Sequence, residues 1–354
     1  MPLSQSSQTM YKYPEEYLDS AHSYLKHSAI DFSESKILIL GASGFIGSWL
    51  IEVLRYYTKV ESQKIQVLGL SRDLRKTFEK LGRENFEFLD WVEGGVEKLP
   101  EIKFCFSHAL HCATPTTKET GSKDQQNVQL SSIGGMQYLL EAAKINGNRP
   151  RVLHTSSGAV YGNIPLIHKK FPILEDFQEA SVDKSSRHFA YALAKRETEL
   201  KLKQATSDGY VSGVNARLFA FFGPGLPTTS QYAIGNLIDQ ALFSESLKLK
   251  GTGLATRSYL TGNAMAAVVL YLLSVELVGA THVGSSEGQT LEYWARVVSD
   301  ISGKPLEILN QFDDSSDNYV PHWDDRIPKV NFEQNHRQVI DQWLKYLRTN
   351  SKLD

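Results

Sequence analysis

The stretch KILILGASGFIG, residues 36–47, joins an apolar run to three glycines and then to a segment with helical spacing. Residues 36–40 are mostly apolar and rich in β-forming side chains, which predicts a strand. The glycines follow the spacing GxxGxxG. Gly41 permits a tight turn, Gly44 lets the backbone approach a ligand, and Gly47 allows a helix to pack closely on the strand. A strand, a glycine turn and a helix in this order are the context that a dinucleotide-binding fingerprint requires.

The helix after the turn is expected to begin near Phe45 and Ile46, where free N–H groups would meet the phosphates of a dinucleotide. Any other glycine-rich connection between a strand and a helix is the alternative, because a bare GxxGxxG spacing is not specific. This turn lies near the start of a series of strands and helices, and that position favours the dinucleotide interpretation.

The choice between NAD and NADP is expected at the end of the second predicted strand. NAD-binding proteins typically place Asp or Glu there, on the ribose 2′-OH. This chain has GLSRDLRK at residues 69–76, with Ser71 and Arg72 at the strand end. A hydroxyl and a guanidinium suit a 2′-phosphate better, so NADP is favoured. NAD is the alternative, because Asp73 could bind the ribose and Arg72 could be an ordinary exposed loop residue.

Strand-like and helix-like segments alternate along most of the chain. Further strand-like runs lie at residues 65–70, 86–90, 106–113, 151–157 and 211–222. Such alternation predicts an α/β fold, in which helices cover both faces of a doubly wound parallel sheet. We expect a polar, partly helical extension at residues 1–33 and a dinucleotide-binding domain at 34–219. Residues 220–354 are expected to form a smaller α/β substrate-binding domain that returns segments to the sheet.

The composition is that of an ordinary globular protein: 354 residues, 41% apolar, 22% charged, with a net charge of −2. This balance gives no electrostatic reason to expect nucleic acid or an anionic membrane as a partner. Cys105 and Cys112 are too few for a disulfide framework and lack metal-ligand spacing, so we expect a cytoplasmic location and no metal. The polar N-terminus is unlike a secretory signal, and the apolar run at residues 264–280 contains Glu276 and predicts a buried helix.

The segment FAYALAKRE, residues 189–197, places Tyr191 and Lys195 four positions apart, on one face of a predicted helix. Such a pair is common enough to arise by chance. The alternative is a proton-transfer site, because a phenol with a pKa of about 10 needs a neighbouring positive charge to act as a base near neutral pH. The pair alone does not decide between these interpretations.

Further motifs are spread over residues 36–330. They are GASGFIG at 41–47, HCATP at 111–115, TSSGAVYG at 155–162, YALAK at 191–195, RLFAFFGPG at 217–225, and the segments at 251–268 and 282–298. Taken together, they resemble the extended short-chain dehydrogenase/reductase family, which contains the nucleotide-sugar epimerases and dehydratases. The resemblance implies a Rossmann-type sheet and an NAD(P)-dependent enzyme.

The resemblance also implies roles for particular residues. Tyr191 would be the acid/base, and Lys195 would lower the Tyr191 pKa and hold the nicotinamide ribose. Ser157 would hydrogen-bond the reacting oxygen, with Ser156 as the alternative at the substrate. Arg257 resembles an arginine that contacts the phosphates of the sugar nucleotide, although a surface arginine is the alternative.

For the cofactor, the resemblance implies that Asp90, after the third strand, meets the adenine with Trp91 beside it. Ala113 and Thr114, after the fourth strand, would line the cofactor channel through their backbone.

The chain departs from the family pattern at residues 157–159, where Ser157, Gly158 and Ala159 replace the Thr, Asp and Glu of the family's 4,6-dehydratases. Without those carboxyl groups, no residue at that site could supply the acid and base for eliminating water, so a dehydratase is disfavoured. His188, three residues before Tyr191, is a candidate auxiliary group, and a helix-start histidine is the simpler alternative.

We therefore expect a nucleotide-sugar epimerase or ketoreductase, with a nucleotide-sugar decarboxylase as a further outcome of the same site. A non-catalytic dinucleotide-sensing protein is the alternative from another class, but it would be expected to lose Ser, Tyr or Lys, and this chain keeps all three. The resemblance also implies a homodimer, because the helices predicted at residues 125–145 and 189–206 occupy the positions of the family's four-helix dimer interface.

Overall fold

The computed structural model describes residues 13–81, 87–95, 101–115, 122–162, 189–228, 232–285, 287–312, 318–329 and 336–350. The strands in this part of the chain are β1 (Lys36–Leu40), β2 (Gln66–Ser71), β3 (Leu89–Glu93), β4 (His108–His111), β5 (Arg151–Ser157), β6 (Ser212–Leu218), β7 (Ala220–Phe222), β8 (Leu247–Gly251), β9 (Thr256–Arg257), β10 (Tyr259–Thr261), β11 (Gly279–Val283), β12 (Gln289–Thr290), β13 (Leu306–Phe312) and β14 (Asn318–Tyr319). The helices are α1 (Glu15–His27), α2 (Phe45–Glu61), α3 (Leu74–Leu81), α4 (Ser122–Gln129), α5 (Gly135–Asn146), α6 (Phe189–Ser207), α7 (Ala233–Phe243), α8 (Gly262–Ser274), α9 (Leu291–Ser302) and α10 (His336–Asn350).

Seven strands form one parallel sheet in the order β11-β6-β5-β4-β1-β2-β3. The chain runs outward from β1 to β3 and then starts again at β4, on the other side of β1. A reversal of strand order in a doubly wound sheet opens a crevice at the carboxyl ends of the strands, here those of β1 and β4. The α/β fold predicted from the sequence is confirmed.

The central strands owe their position to their composition. Every residue of β5 and of β6 is buried, as expected for strands covered by helices on both faces. The apolar run at residues 264–280, predicted to form a buried helix, is helical only as far as Ser274. All residues of α8 from Gly262 to Leu270 are buried, whereas Gly279 and Ala280 begin β11. Among the described residues, no helix is both long and apolar enough to cross a lipid bilayer.

The N-terminal helix α1 is part of the core. Its side chains Leu18, Ala21 and Leu25 are fully buried, and the helix packs against α2 and α8. The Glu16 carboxylate also accepts hydrogen bonds from Gln338 (3.0 Å) and Gln342 (2.6 Å) of α10. The first and last described helices therefore contact each other.

Smaller sheets lie beyond residue 219. β7 pairs with β10, β8 pairs with β13, and β9 lies between β12 and β14. β11 instead returns to the edge of the central sheet beside β6. The domain boundaries expected at residues 33 and 219 remain a prediction.

The third strand lies later in the sequence than predicted. We expected it at residues 86–90, whereas β3 spans Leu89–Glu93, and residue 86 lies outside the described residues. Apolar residues continue through Trp91 and Val92, so hydrophobicity alone did not fix where the strand ends. This shift alters the placement of Asp90, as described below.

Candidate active site

The glycine turn lies at the switch point of the sheet and packs against the chain that follows β4. Gly41 has φ +80°, and a Cβ there would lie 2.8 Å from the Ala113 backbone. A Cβ at Gly47 would lie 2.5 Å from the carbonyl oxygen of Gly41. Both glycines are therefore required by close backbone approach, as the spacing predicted.

The helix after the turn leaves its first amides available. Gly44 is the N-cap residue of α2, and no side chain caps this end. The backbone amides of Phe45 and Ile46 have no acceptor within the helix, because the first turn of any α-helix lacks one. A cap made of glycine, with amides directed out of the helix end, fits the pyrophosphate of a dinucleotide.

Ser71 lies at the end of β2, as expected, but its hydroxyl is buried and already hydrogen-bonded. Its Oγ lies 3.0 Å from Ser43 Oγ, in the glycine turn, and 2.7 Å from Thr77 Oγ1, in α3. Ser71 therefore links the glycine turn to α3, and this contact fixes the edge of the cofactor crevice.

Arg72 is exposed beside this link. Asp73, the competing ribose anchor, instead accepts a hydrogen bond from the backbone N–H of Lys76 at 2.9 Å. This bond, at the start of α3, holds the pKa of Asp73 below its ordinary value. Of the two charged side chains, Arg72 is thus the more accessible to a ligand.

Asp90 does not lie after the third strand, so that expectation is wrong. It is the second residue of β3 and pairs with Leu68, whereas Glu93 is level with Ser71 at the carboxyl end. Three residues of parallel strand, about 10 Å, separate Asp90 from that end. Glu93 is the acidic residue beside the crevice, and it accepts a hydrogen bond from the Leu74 backbone N–H at 3.1 Å.

Trp91 has a packing contact that the sequence did not reveal. A Cβ at Gly69 of β2 would lie 3.0 Å from the Trp91 ring, and the ring makes an edge contact with Phe78, with centroids 6.3 Å apart. Trp91 therefore packs between β2 and α3. Any contact of Trp91 with an adenine would be made by the part of its ring that Gly69 and Phe78 leave uncovered.

The structure brings Ser157, Tyr191 and Lys195 together. Ser157 ends β5 and accepts a hydrogen bond from the Ala159 N–H at 3.2 Å, which caps the short 3₁₀ helix Gly158–Tyr161. The Ser157 hydroxyl is also hydrogen-bonded to the Tyr191 phenol. Lys195 Nζ lies 5.6 Å from the centre of the Tyr191 ring.

Lys195 is almost completely buried, with 1% of its surface exposed. Its ammonium donates to the Thr155 carbonyl oxygen at 2.5 Å and to Thr114 Oγ1 at 3.0 Å. Burial lowers the Lys195 pKa to about 7, while Cys112 and Glu199 oppose the fall. Thr114, expected to line the cofactor channel through its backbone, thus also holds the lysine through its side chain.

The expected effect of Lys195 on Tyr191 does not appear. Burial raises the pKa of Tyr191 above its ordinary value, and only the Ser157 hydrogen bond opposes this rise. The Lys195 ammonium is bound to Thr155 and Thr114 and has lost part of its own charge to burial. In this structure, Ser157 is the group that favours the phenolate.

The Ser156 hydroxyl is engaged by a side chain of α6 and is not open to a substrate. Its Oγ donates to Glu199 Oε1 at 2.5 Å. The same carboxylate accepts two hydrogen bonds from Arg217, at 3.0 and 2.7 Å. The expectation that Ser156 could bind substrate is therefore wrong; it helps to attach α6 to the sheet.

Arg257 lies in β9, where its guanidinium donates to the Thr256 carbonyl oxygen at 2.9 Å. The same group lies 5.8 Å from the centre of the Tyr319 ring. Tyr319 and Tyr232 both raise the pKa of Tyr191, so these three phenols are electrostatic neighbours. The sequence analysis missed Tyr232 and Tyr319, since neither belongs to a motif near Tyr191.

His188, the candidate auxiliary group, lies outside the described residues. Two other histidines, His111 and His154, form a buried pair with their Nδ1 atoms 3.1 Å apart. His111 Nε2 lies 3.2 Å from the Ser131 carbonyl oxygen; because a carbonyl only accepts, this nitrogen carries the proton. Burial and the nearby Lys195 lower the pKa of both rings, so they are neutral packing groups beside the lysine.

With this geometry in place, known proteins can be compared. The model of the NAD dependent epimerase/dehydratase family matches residues 37–283. The chain belongs to this family. The family membership predicted from the motifs is therefore confirmed. The match to this epimerase/dehydratase model ends with β11, so α1 and Tyr319 lie outside the matched residues.

Two curated members of the wider group show the extent of the similarity. UDP-glucuronic acid decarboxylase 5 of Arabidopsis thaliana is 26% identical over 293 residues, covering 80% of this chain and 80% of that protein. UDP-glucuronic acid decarboxylase 1 of Xenopus tropicalis is 24% identical, covering 77% of this chain and 62% of that protein.

Solved structures show the same fold. A UDP-N-acetylglucosamine 4-epimerase from Methanobrevibacter ruminantium M1, in complex with UDP-N-acetylmuramic acid, has a TM-score of 0.73 and 20% identity, covering 89% of this chain and 98% of that one. DesIV, a dTDP-glucose 4,6-dehydratase from Streptomyces venezuelae solved with NAD bound, has a TM-score of 0.71 and 17% identity, covering 90% and 98%. The predicted Rossmann-type architecture is thus confirmed.

Proposed function

We propose that this protein is an NAD(P)-dependent enzyme that transfers hydride at a hydroxyl-bearing or keto carbon of a nucleotide sugar, as an epimerase or a ketoreductase. The observation that carries this proposal is the convergence of Ser157, Tyr191 and Lys195 beside the glycine turn. Lys195 is joined through Thr114 to the crevice between β1 and β4, so the proton-transfer group and the expected cofactor site adjoin each other.

Each residue has a separate task in this proposal. Ser157 donates to the Tyr191 oxygen, favours its ionisation, and orients it toward the substrate hydroxyl. Tyr191 takes the proton from that hydroxyl and later returns it. Lys195, held by Thr155 and Thr114, provides a buried positive charge and a donor for the nicotinamide ribose. The nicotinamide, when bound, accepts the hydride from the sugar carbon and can give it back.

A decarboxylase is the second candidate, favoured by the names of the relatives described above. It would begin with the same oxidation, because a ketone beside the carboxylate-bearing carbon allows carbon dioxide to leave. Dehydration is less well supported, since Gly158 and Ala159 provide no carboxyl group. A non-catalytic dinucleotide sensor would not need the Ser157–Tyr191 hydrogen bond.

The experiment incubates the protein with cofactor and a panel of nucleotide sugars, including UDP-glucuronic acid, UDP-glucose and UDP-N-acetylglucosamine. Absorbance at about 340 nm reports the reduced nicotinamide. Mass spectrometry identifies a reduced or a decarboxylated sugar, and NMR identifies an epimer, which has the same mass as the substrate. We expect Tyr191→Phe to lower kcat by about 10²–10⁴-fold, because it removes the acid/base group.

The matched control is Tyr293→Phe, which removes a phenol that is 43% exposed on α9 and should leave kcat unchanged. If no sugar of the panel reacts and Tyr191→Phe binds cofactor like the wild type, the dinucleotide-sensor hypothesis replaces the enzyme.

For the cofactor, we propose NADP, supported by the exposure of Arg72 at the end of β2; NAD is the alternative. Arg72→Ala is expected to weaken NADPH binding by about tenfold or more, the value of a hydrogen bond to a charged group, and to leave NADH binding nearly unchanged. Arg75→Ala, an exposed change on the neighbouring α3, is the control. Fluorescence titration measures the affinity of each protein for NADPH and for NADH. If the wild type binds NADH more tightly than NADPH, the proposal that NADP is the cofactor is refuted.

We also propose a homodimer with a four-helix interface, to which each protomer contributes the helical segment from α4 through α5 and the helix α6. Exposed leucines support it: Leu130 (47% exposed), in the π-helical turn Leu130–Gly134 between α4 and α5, and Leu193 (37%) and Leu200 (64%) on α6. Leu193 and Leu200 lie seven residues apart, two turns along one face of α6. A cytoplasmic location is proposed as well, because Cys105 and Cys112 are both free thiols.

A further inference from the structure

Tyr319 lies between two groups of the proposed site. It belongs to β14, which pairs in parallel with β9, so that Tyr319 is level with Arg257. The Arg257 guanidinium lies 5.8 Å from the centre of the Tyr319 ring. The Tyr319 ring also contacts the Phe219 ring, whose centroid is 4.7 Å away. The ring is therefore held in place by a cation and by an aromatic neighbour.

The Tyr319 hydroxyl occupies the space beside Ser157. A Cβ at Gly158 would lie 2.5 Å from Tyr319 Oη and 2.9 Å from the Phe219 ring. No side chain fits at residue 158 while Tyr319 stays there, since real Cβ atoms do not approach so closely. The phenol thus fills the position at which the family's dehydratases are expected to carry an acidic side chain.

This position also borders the reacting group. Gly158 directly follows Ser157, which is hydrogen-bonded to Tyr191, and Tyr319 is near enough to raise the pKa of Tyr191. One tyrosine side chain thus spans the gap from the predicted phosphate contact, Arg257, to the predicted proton-transfer pair. In a nucleotide sugar, the sugar ring is what lies between the phosphates and the reacting carbon.

We propose that Tyr319 is a sugar-binding residue, whose hydroxyl hydrogen-bonds the substrate ring between the groups held by Arg257 and by Ser157. This inference rests on the proposed function. A neutral phenol both donates and accepts a hydrogen bond, which suits a sugar hydroxyl. It cannot replace two carboxyl groups in an elimination, so a tyrosine at this position is compatible with oxidation and does not provide for dehydration.

The test measures binding to the cofactor-loaded protein by isothermal titration calorimetry. The probes are UDP-glucose, UDP-glucuronic acid and UDP-N-acetylglucosamine, with UDP as the reference that lacks a sugar. We expect Tyr319→Phe to lower the affinity for the tightest-binding sugar probe by about tenfold, which corresponds to the loss of one hydrogen bond. UDP affinity and the melting temperature should stay at the wild-type values.

A second variant checks the contact itself. Gly158→Ala places a methyl group where the Tyr319 hydroxyl lies, so it should produce the same selective loss of sugar affinity. The effects of Gly158→Ala and Tyr319→Phe should then be less than additive in the double variant, because both act on one contact. Tyr293→Phe again serves as the control.

The outcomes separate the two proposals. If the wild type binds every sugar probe with the same affinity as UDP, and none of the probes reacts, the proposed nucleotide-sugar function is refuted. This inference is then refuted with it. If the wild type binds and converts a sugar probe, but Tyr319→Phe leaves its affinity unchanged or weakens UDP equally, only the role of Tyr319 is refuted. Tyr319 would then be a packing residue that attaches β14 to Phe219.

Discussion

At the scale of single residues, the site depends on a lysine that is removed from water. The Lys195 ammonium donates to the Thr155 carbonyl and the Thr114 hydroxyl, and burial lowers its pKa to about 7. In the unfolded chain the same group titrates near 10.5. Between these two pKa values, the unfolded state binds one more proton at Lys195 than the folded state does. The free energy of unfolding therefore increases as the pH rises through this range.

We therefore expect the wild type to gain stability over Lys195→Met as the pH rises from 7 to 8.5. The gain is at most about 2 kcal/mol, since one proton contributes roughly 1.4 kcal/mol per pH unit. Urea denaturation of both proteins without cofactor, across this pH range, measures the difference. A constant difference would show that Lys195 is fully charged in the folded protein.

Single residues also show how far the sequence could predict the site. The glycines and the Tyr191–Lys195 pair were predictable, because their spacing follows directly from turn and helix geometry. Ser156 and Ser157 are adjacent at the end of β5 and contact Glu199 and Tyr191 of α6, and the sequence did not show which of the two was open to a substrate. The raised pKa of Tyr191 depends on burial by distant segments, and no local pattern reports that.

At the scale of elements, α6 presents its functional residues on consecutive turns of one face: Tyr191, Lys195 and Glu199. Glu199 is buried and binds Arg217 of β6 through both carboxylate oxygens, with Ser156 of β5 as a second partner. This ion pair fixes α6 against the sheet one turn after Lys195. The position of the phenol therefore depends on a pair that never contacts substrate.

Glu199→Ala should cost about 3–5 kcal/mol of unfolding free energy, because it leaves the Arg217 charge buried without its carboxylate. The matched change is Glu292→Ala, which breaks the exposed pair with Arg296 and should cost less than about 0.5 kcal/mol. Chemical denaturation at neutral pH measures both. Equal costs for the two variants would contradict the anchoring role of Glu199.

Most elements could be predicted from the sequence, and the exceptions have a common cause. The bounds of β1 and β5 match the predicted segments, because apolar spacing and flanking polar residues agree there. β3 was shifted by three residues, since its apolar residues run past Asp90. The two-residue strands β9, β12 and β14 are too short for any periodic signal, so the contact between Arg257 and Tyr319 could not be foreseen.

At the scale of the whole molecule, the exposed leucines of α4–α6 predict self-association. Leu200→Glu should convert the dimer to a monomer, because it places a charge in the proposed apolar interface. Circular dichroism should show an unchanged fold. Phe243→Glu, at a side chain that is 69% exposed on α7, is the control and should leave the dimer intact.

Light scattering at micromolar concentration measures both variants. A wild type that is already monomeric under these conditions would refute the proposed interface.

The N-terminal helix α1 lies outside the residues matched by the family model, yet Leu18, Ala21 and Leu25 are fully buried against α2 and α8. A fragment trimmed to the family boundary at residue 37 would leave the apolar surfaces of those two helices in water. Contiguous apolar surface of this kind causes aggregation. Recombinant versions of this enzyme intended for crystallisation should therefore retain residues 13–35, even though no family motif lies within them.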